Sequence, residues 1–212
     1  MINLKSVTYA AATGLALCLA LPAQASPIMG SLWINDFSNN ASVVPAGPAD
    51  ATFIVGGAKG IDFSTLSSGN TIGAFLNNPT FLTGAALASN LATSIHLQFT
   101  GTTYLNAGAN TFNIPHDDGV VLSVTGIGTV LNQPLPTSAV DSPFVVNAPA
   151  AGEYSFVLDY NQISLLPGVL KFTVNNAAVG IPEPATLSLL GLGLVGMFGA
   201  AGRRRKQAQL AA

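Results

Sequence analysis

Apolar side chains recur at every second position through the middle of this chain, and that period constrains it to extended backbone. Tyr154, Phe156, Leu158 and Tyr160 alternate with Ser155, Val157, Asp159 and Asn161, while Ile95, Leu97 and Phe99 alternate with His96, Gln98 and Thr100. A strand sends successive side chains to opposite faces, whereas a helix would scatter the same residues around its axis. Val120 to Thr125 and Val169 to Val174 are further apolar, β-branched runs of strand length, and turn-forming clusters such as Asn77-Asn78-Pro79 and Pro134 to Ser138 separate the runs. Only Thr83 to Thr93, rich in Ala and Leu, predicts a helical turn or two. The pattern predicts an all-β domain, an antiparallel β-sandwich of jelly-roll type, without tandem repeats. The alternation puts Tyr154 and Tyr160 in the core and His96 toward solvent, and Trp33 in Leu32-Trp33-Ile34 reads as core.

Charge narrows the function. Acidic and basic residues make up 8% of the 212, against about 25% in an average soluble domain. A hydrophobic content of 49% rules against a disordered chain. The net charge of −2 gives no basic face for nucleic acid. One cysteine excludes a disulfide framework, a zinc finger and an iron–sulfur site. Residues 26–180 hold two lysines, Lys59 and Lys171, against eight acids, a net of −6. Such a surface does not attract phosphates or anionic lipid.

Both ends are apolar with basic flanks. Lys5, the uncharged run Val7 to Ala20, the Leu21-Pro22 break and Ala23-Gln24-Ala25 before Ser26 form the three regions of a secretory signal, residues 1–25. Signal peptidase would cut before Ser26 and discard Cys18, whose neighbour Leu17 does not fit a lipobox. At the other end, Pro182-Glu183-Pro184 leads into Ala185 to Ala201, seventeen residues without a charge, followed by Arg203, Arg204, Arg205 and Lys206. Seventeen residues make about 26 Å of helix, near the lower limit for a membrane span. Four adjacent cations stay in the cytoplasm, so the span 185–201 runs outside to inside and residues 207–212 form a cytoplasmic tail. The expected domains are therefore the signal peptide, a secreted domain at 26–180, and a terminal sorting segment at 181–206.

Those terminal residues resemble the PEP-CTERM sorting signal, which combines a Pro-Glu-Pro motif, a short Gly- and Leu-rich membrane helix and a basic cluster. Ile181 stands where many members have Val. The resemblance implies an inner-membrane intermediate in a Gram-negative bacterium that makes exopolysaccharide. It also implies recognition of Pro182, Glu183 and Pro184 by an exosortase, and release to the cell surface or extracellular matrix. Prolines on both sides of Glu183 keep the segment extended, which suits a protease cleft.

Within the acid-poor middle, His116-Asp117-Asp118-Gly119 concentrates charge. Asp-Gly between the strands Thr111 to Ile114 and Val120 to Thr125 signals a plain hairpin turn. Adjacent carboxylates repel, however, and a hard cation such as calcium would satisfy both. The run Thr111 to Val124, together with Ala151-Gly152-Glu153-Tyr154-Ser155-Phe156-Val157-Leu158-Asp159-Tyr160, resembles the PA14-like β-sandwich over about residues 90–175. That resemblance implies calcium ligands at Asp117 and Asp118 and a sugar met at the ion, with His116 beside them in place of the family's usual Ser. A lone His beside two Asp is also a weak transition-metal pattern. Motifs of serine hydrolases, zincins and P-loop enzymes are missing, so no catalytic residue is expected. Three functions follow: a non-catalytic surface or biofilm-matrix protein binding exopolysaccharide weakly through calcium, a purely structural matrix protein, and a glycan hydrolase.

Overall fold

The computed structural model describes residues 27–55, 59–64, 70–90, 94–163 and 168–180. The signal segment, its cleavage site Ala23, Ala25 and Ser26, and the sorting residues Pro182 to Lys206 lie outside them. Among the described residues no helix is long and apolar enough to cross a membrane.

The elements in chain order are β1 (Met29–Ile34), β2 (Ala51–Ile54), β3 (Asp62–Ser64), α1 (Ile72–Phe75), β4 (Thr80–Thr83), a 3-10 helix (Ala85–Ser89), β5 (Ile95–Leu105), β6 (Gly108–Asn113) and β7 (His116–Asp117). They continue with β8 (Gly119–Val124), β9 (Gly128–Gln133), β10 (Pro143–Ala148), β11 (Gly152–Gln162), β12 (Val169–Lys171), β13 (Thr173–Val174) and β14 (Ala177–Ala178). One layer is a seven-stranded sheet in the order β4-β2-β1-β5-β11-β8-β9. The other layer is built from two smaller sheets, β10-β6-β13-β14 and β3-β12-β7. All ladders are antiparallel, as the alternation predicts. The stretch that precedes the PA14-like motifs belongs to the same sandwich. It supplies β1, β2 and β4 to the large sheet and β3 to the opposite layer.

The long strands β5 and β11 form the middle of the large sheet, pairing from Ile95↔Gln162 to Leu105↔Gly152. Their inward residues Leu97, Phe99, Phe156, Leu158 and Tyr160 are buried. Aromatic rings join the layers: Phe99 lies 5.6 Å from Phe63, and Phe156 meets Phe172 edge-on at 5.3 Å. Each such ring, fully buried, stabilises the fold by about 1.5–3 kcal/mol. Tyr154 is half-buried at the margin of the core, and its hydroxyl donates to the Ala150 carbonyl.

Four readings change. The Ala-rich segment forms a 3-10 helix limited to Ala85–Ser89. A four-residue helix, α1, stands where no periodicity announced it; Thr71 caps it by accepting from the Ala74 N–H. His96 faces away from the core, as its strand phase dictates, but it is fully buried. The reason is the β1–β2 connection, residues 35–50, which crosses the outer face of the large sheet. It ties down at Ala41 N–H to Pro134 O (2.8 Å) before returning with Asp50 N–H to Leu32 O (2.9 Å). Beneath this strap His96 lies between Asp36, 3.6 Å from Nδ1, and Asp159, 3.3 Å from Nε2. Trp33 is half-buried on the same outer face, edge-on to His96 at 5.7 Å, and so is not part of the core between the sheets.

Candidate functional site

The Asp-Asp-Gly segment is not a hairpin turn. β6 pairs with β10 and β13, whereas β8 pairs with β11 and β9. The chain crosses from one layer to the other between residues 114 and 119, and the short strand β7 pairs with β12 through Leu170↔His116 and Val169↔Asp117. The Asp117–Asp118 peptide is cis. Gly119 serves close approach rather than turn geometry, because a Cβ there would collide with the Pro134 carbonyl oxygen.

The crossing brings His116, Asp117 and Asp118 together and buries all three. The His116 ring braces the Asp118 backbone as a post. Its Nδ1 lies 2.6 Å from the Asp118 carbonyl oxygen, an acceptor only, so Nδ1 carries the proton. Nε2 meets the Gln133 side-chain amide at 2.8 Å and Ser142 Oγ at 3.1 Å. Both ring nitrogens have protein partners, so the ring braces the loop that carries the two acids.

A second support comes from Tyr160. Its hydroxyl donates to the Asp117 carbonyl oxygen and also touches the Gln162 side-chain amide. The hydroxyl has one proton, so both contacts are satisfied when Gln162 turns its amide nitrogen toward it. Burial first, and then the charges of Asp118 and Asp117, push the Tyr160 phenol well above its ordinary range. The sequence marked Tyr160 only as core, and nothing in the local pattern pointed to Gln162, Gln133 or Ser142. The one available signal was that a buried tyrosine needs a partner for its hydroxyl.

The carboxylates themselves remain short of positive charge. Asp118 Oδ2 accepts from the Ile163 N–H at 2.9 Å. The Asp117 carboxyl is raised above its usual range, chiefly by burial and then by the Asp118 charge, partly offset by the Ala139 N–H and then by the nearby His116 ring. Among the described residues the ion pairs are His96 with Asp36 and Asp159, and Lys171 with Asp62; none reaches Asp117 or Asp118. Two adjacent, buried carboxyls without a lysine or arginine partner among the described residues fit a hard cation. Among the described residues no three His, Cys, Asp or Glu side chains are grouped to hold a metal. A cation at the pair would therefore complete its shell with backbone carbonyls, water or ligand hydroxyls.

Beyond this site the sequence runs into the terminal segment, where residues 180–206 match the PEP-CTERM protein-sorting motif. The chain carries a PEP-CTERM sorting signal. The domain ahead of that signal has the PA14 fold. It is similar to the PA14 domain of the MpAFP antifreeze protein, with a TM-score of 0.55 and 20% identity over 76% of this chain and 86% of that one. It is also similar to a PA14 sugar-binding domain from an RTX adhesin, with a TM-score of 0.52 and 20% identity over 75% and 94% of the two chains. A search of curated proteins returns no match.

Proposed function

We propose that this chain is an exported surface or matrix protein. On this reading a signal peptidase cuts before Ser26 and an exosortase recognises Pro182, Glu183 and Pro184 in the inner membrane. The basic cluster Arg203 to Lys206 holds the tail in the cytoplasm until that cut. The secreted domain, residues 26–180, then binds exopolysaccharide weakly through a calcium ion held by Asp117 and Asp118. One observation carries the ligand reading: a buried pair of adjacent carboxyls that no lysine or arginine among the described residues pairs with, on a loop whose backbone carbonyls are held by His116 and Tyr160. The ion would supply the positive charge the pair lacks and offer open coordination positions to vicinal sugar hydroxyls. The similar PA14 domain of the RTX adhesin is a sugar-binding one, which supports the same ligand class.

Two carboxyls joined through a single peptide bond speak against a hydrolase. Glycosidase carboxyls stand about 5–9.5 Å apart on opposite sides of the scissile bond. The structural-matrix reading draws on the missing third acidic ligand among the described residues. Retention of the secreted protein on the host's own exopolysaccharide separates these readings. Binding in millimolar calcium, lost with chelator and lost in Asp118→Asn, is the expected result. Retention that ignores both treatments contradicts calcium-mediated binding, and release of reducing ends identifies a hydrolase.

A further inference from the structure

The fold does not fray toward its C-terminal edge; it closes a hook immediately before the sorting motif. β13 and β14 are joined by Asn175 and Asn176, both at positive φ (51° and 65°), in a two-residue hairpin that pairs Thr173 with Ala178 and Val174 with Ala177. Val179 then inserts between two other backbones. Its N–H donates to Phe172 O at 3.0 Å, its carbonyl accepts from Ile61 N–H at 3.0 Å, and its side chain is buried. Two glycines allow this closure. A Cβ on Gly60, at φ 61°, would collide with the Val179 carbonyl, and one on Gly180, at φ 93°, would collide with Ile28. Only Gly180 and Ile181 separate buried Val179 from Pro182.

A processing enzyme holds its substrate extended on both sides of the bond it cuts, because main-chain pairing along the cleft supplies the affinity. For a cut in or beside 182–184, residues 178 and 179 fall within that extended stretch, yet Ala178 is already paired with Thr173 and the Val179 backbone is held by Phe172 and Ile61. We propose that release of the Ala177–Gly180 hook is a required step in sorting, so that cleavage proceeds from a locally opened form of the domain. Local opening of terminal elements precedes global unfolding, and its population sets how often such a substrate is presented. The folded domain is thereby a slow substrate whose last strand competes with the exosortase for the same backbone groups.

The inference rests on the sorting reading, and the test keeps the two apart. Removal of the C-terminal segment is followed by pulse-chase in the exosortase-bearing host for four full-length chains. These are the natural one, one with a flexible Gly-Ser spacer of about six residues between Gly180 and Ile181, one with Thr173→Cys and Ala178→Cys, and one with all these changes. The cysteines form a disulfide across a strand pair in the oxidising periplasm and hold the hook shut. The spacer is expected to raise the processing rate by about tenfold, because the enzyme no longer waits for opening. The disulfide is expected to slow the natural-length chain and to have no effect once the spacer is present. Equal rates with and without the spacer, or a disulfide that slows both lengths alike, overturn the hook as a gate while leaving sorting intact. No processing in any of the four chains, spacer included, contradicts the sorting reading and removes the inference with it.

Discussion

Asp117 is a carboxyl whose burial and whose neighbour Asp118 both disfavour its charge, with the Ala139 N–H and the His116 ring as partial compensation. Folding therefore favours its neutral form when no cation is present. A raised carboxyl contributes stability that is full below its unfolded value, ordinarily 3.8, and is lost as pH rises through its folded value. Thermal melts in chelator should accordingly show a midpoint that declines as pH climbs out of the acid range, with the decline abolished in Asp117→Asn. A midpoint in chelator that rises through that range in the natural protein and not in the variant would reverse the sign argued here. Tyr160→Phe removes the donor to the Asp117 carbonyl and should cost about 1–3 kcal/mol in chemical denaturation; a loss near zero would mean that the hydroxyl does not support the loop. The sequence made the acidic pair visible because so few charges surround it. It concealed the pairing, because Asp-Gly between two strand-length runs looks the same whether the strands form a hairpin or belong to opposite layers.

At the scale of elements, β5 and β11 were legible in the period of their side chains, and the weight they carry follows from it. Phe99 touches rings from its own sheet and from the opposite layer, so Phe99→Ala should cost about 3–5 kcal/mol, read by urea denaturation. A smaller loss would show that the core closes over the gap. Strand phase gave the direction of His96 and not its burial, since a period says which face a residue takes and nothing about what later covers that face. The cover is the strap 35–50, held at Asp36, whose carboxylate accepts from Ser38 and from Asn161 Nδ2. Asp36→Ala should release the strap and speed hydrogen exchange at the Ala41 amide, which is bonded to Pro134 O. Unchanged exchange there would show that Asp36 does not hold the strap. α1 and β3 escaped prediction because four and three residues are too few to establish any period.

The whole molecule pairs a PA14-fold domain with a PEP-CTERM sorting signal, so its two chemistries are separable. On the proposed reading, residues 182–206 direct the chain and the acidic crossing between layers is where the domain would meet a ligand. Most of the domain is organised around that crossing: the post at His116, the tyrosine at the end of β11 and the Pro134 backbone against Gly119 all converge on it. The most direct measurement is the melting temperature of the secreted protein with and without 10 mM calcium, for the natural chain and Asp117→Asn. Extracellular calcium sites with dissociation constants of about 10⁻⁴–10⁻³ M gain about 1.4–2.7 kcal/mol at that concentration. The natural protein should therefore melt several degrees higher in calcium and the variant should not respond. A natural protein indifferent to calcium, or a variant that responds equally, would contradict the assignment of a cation to Asp117 and Asp118.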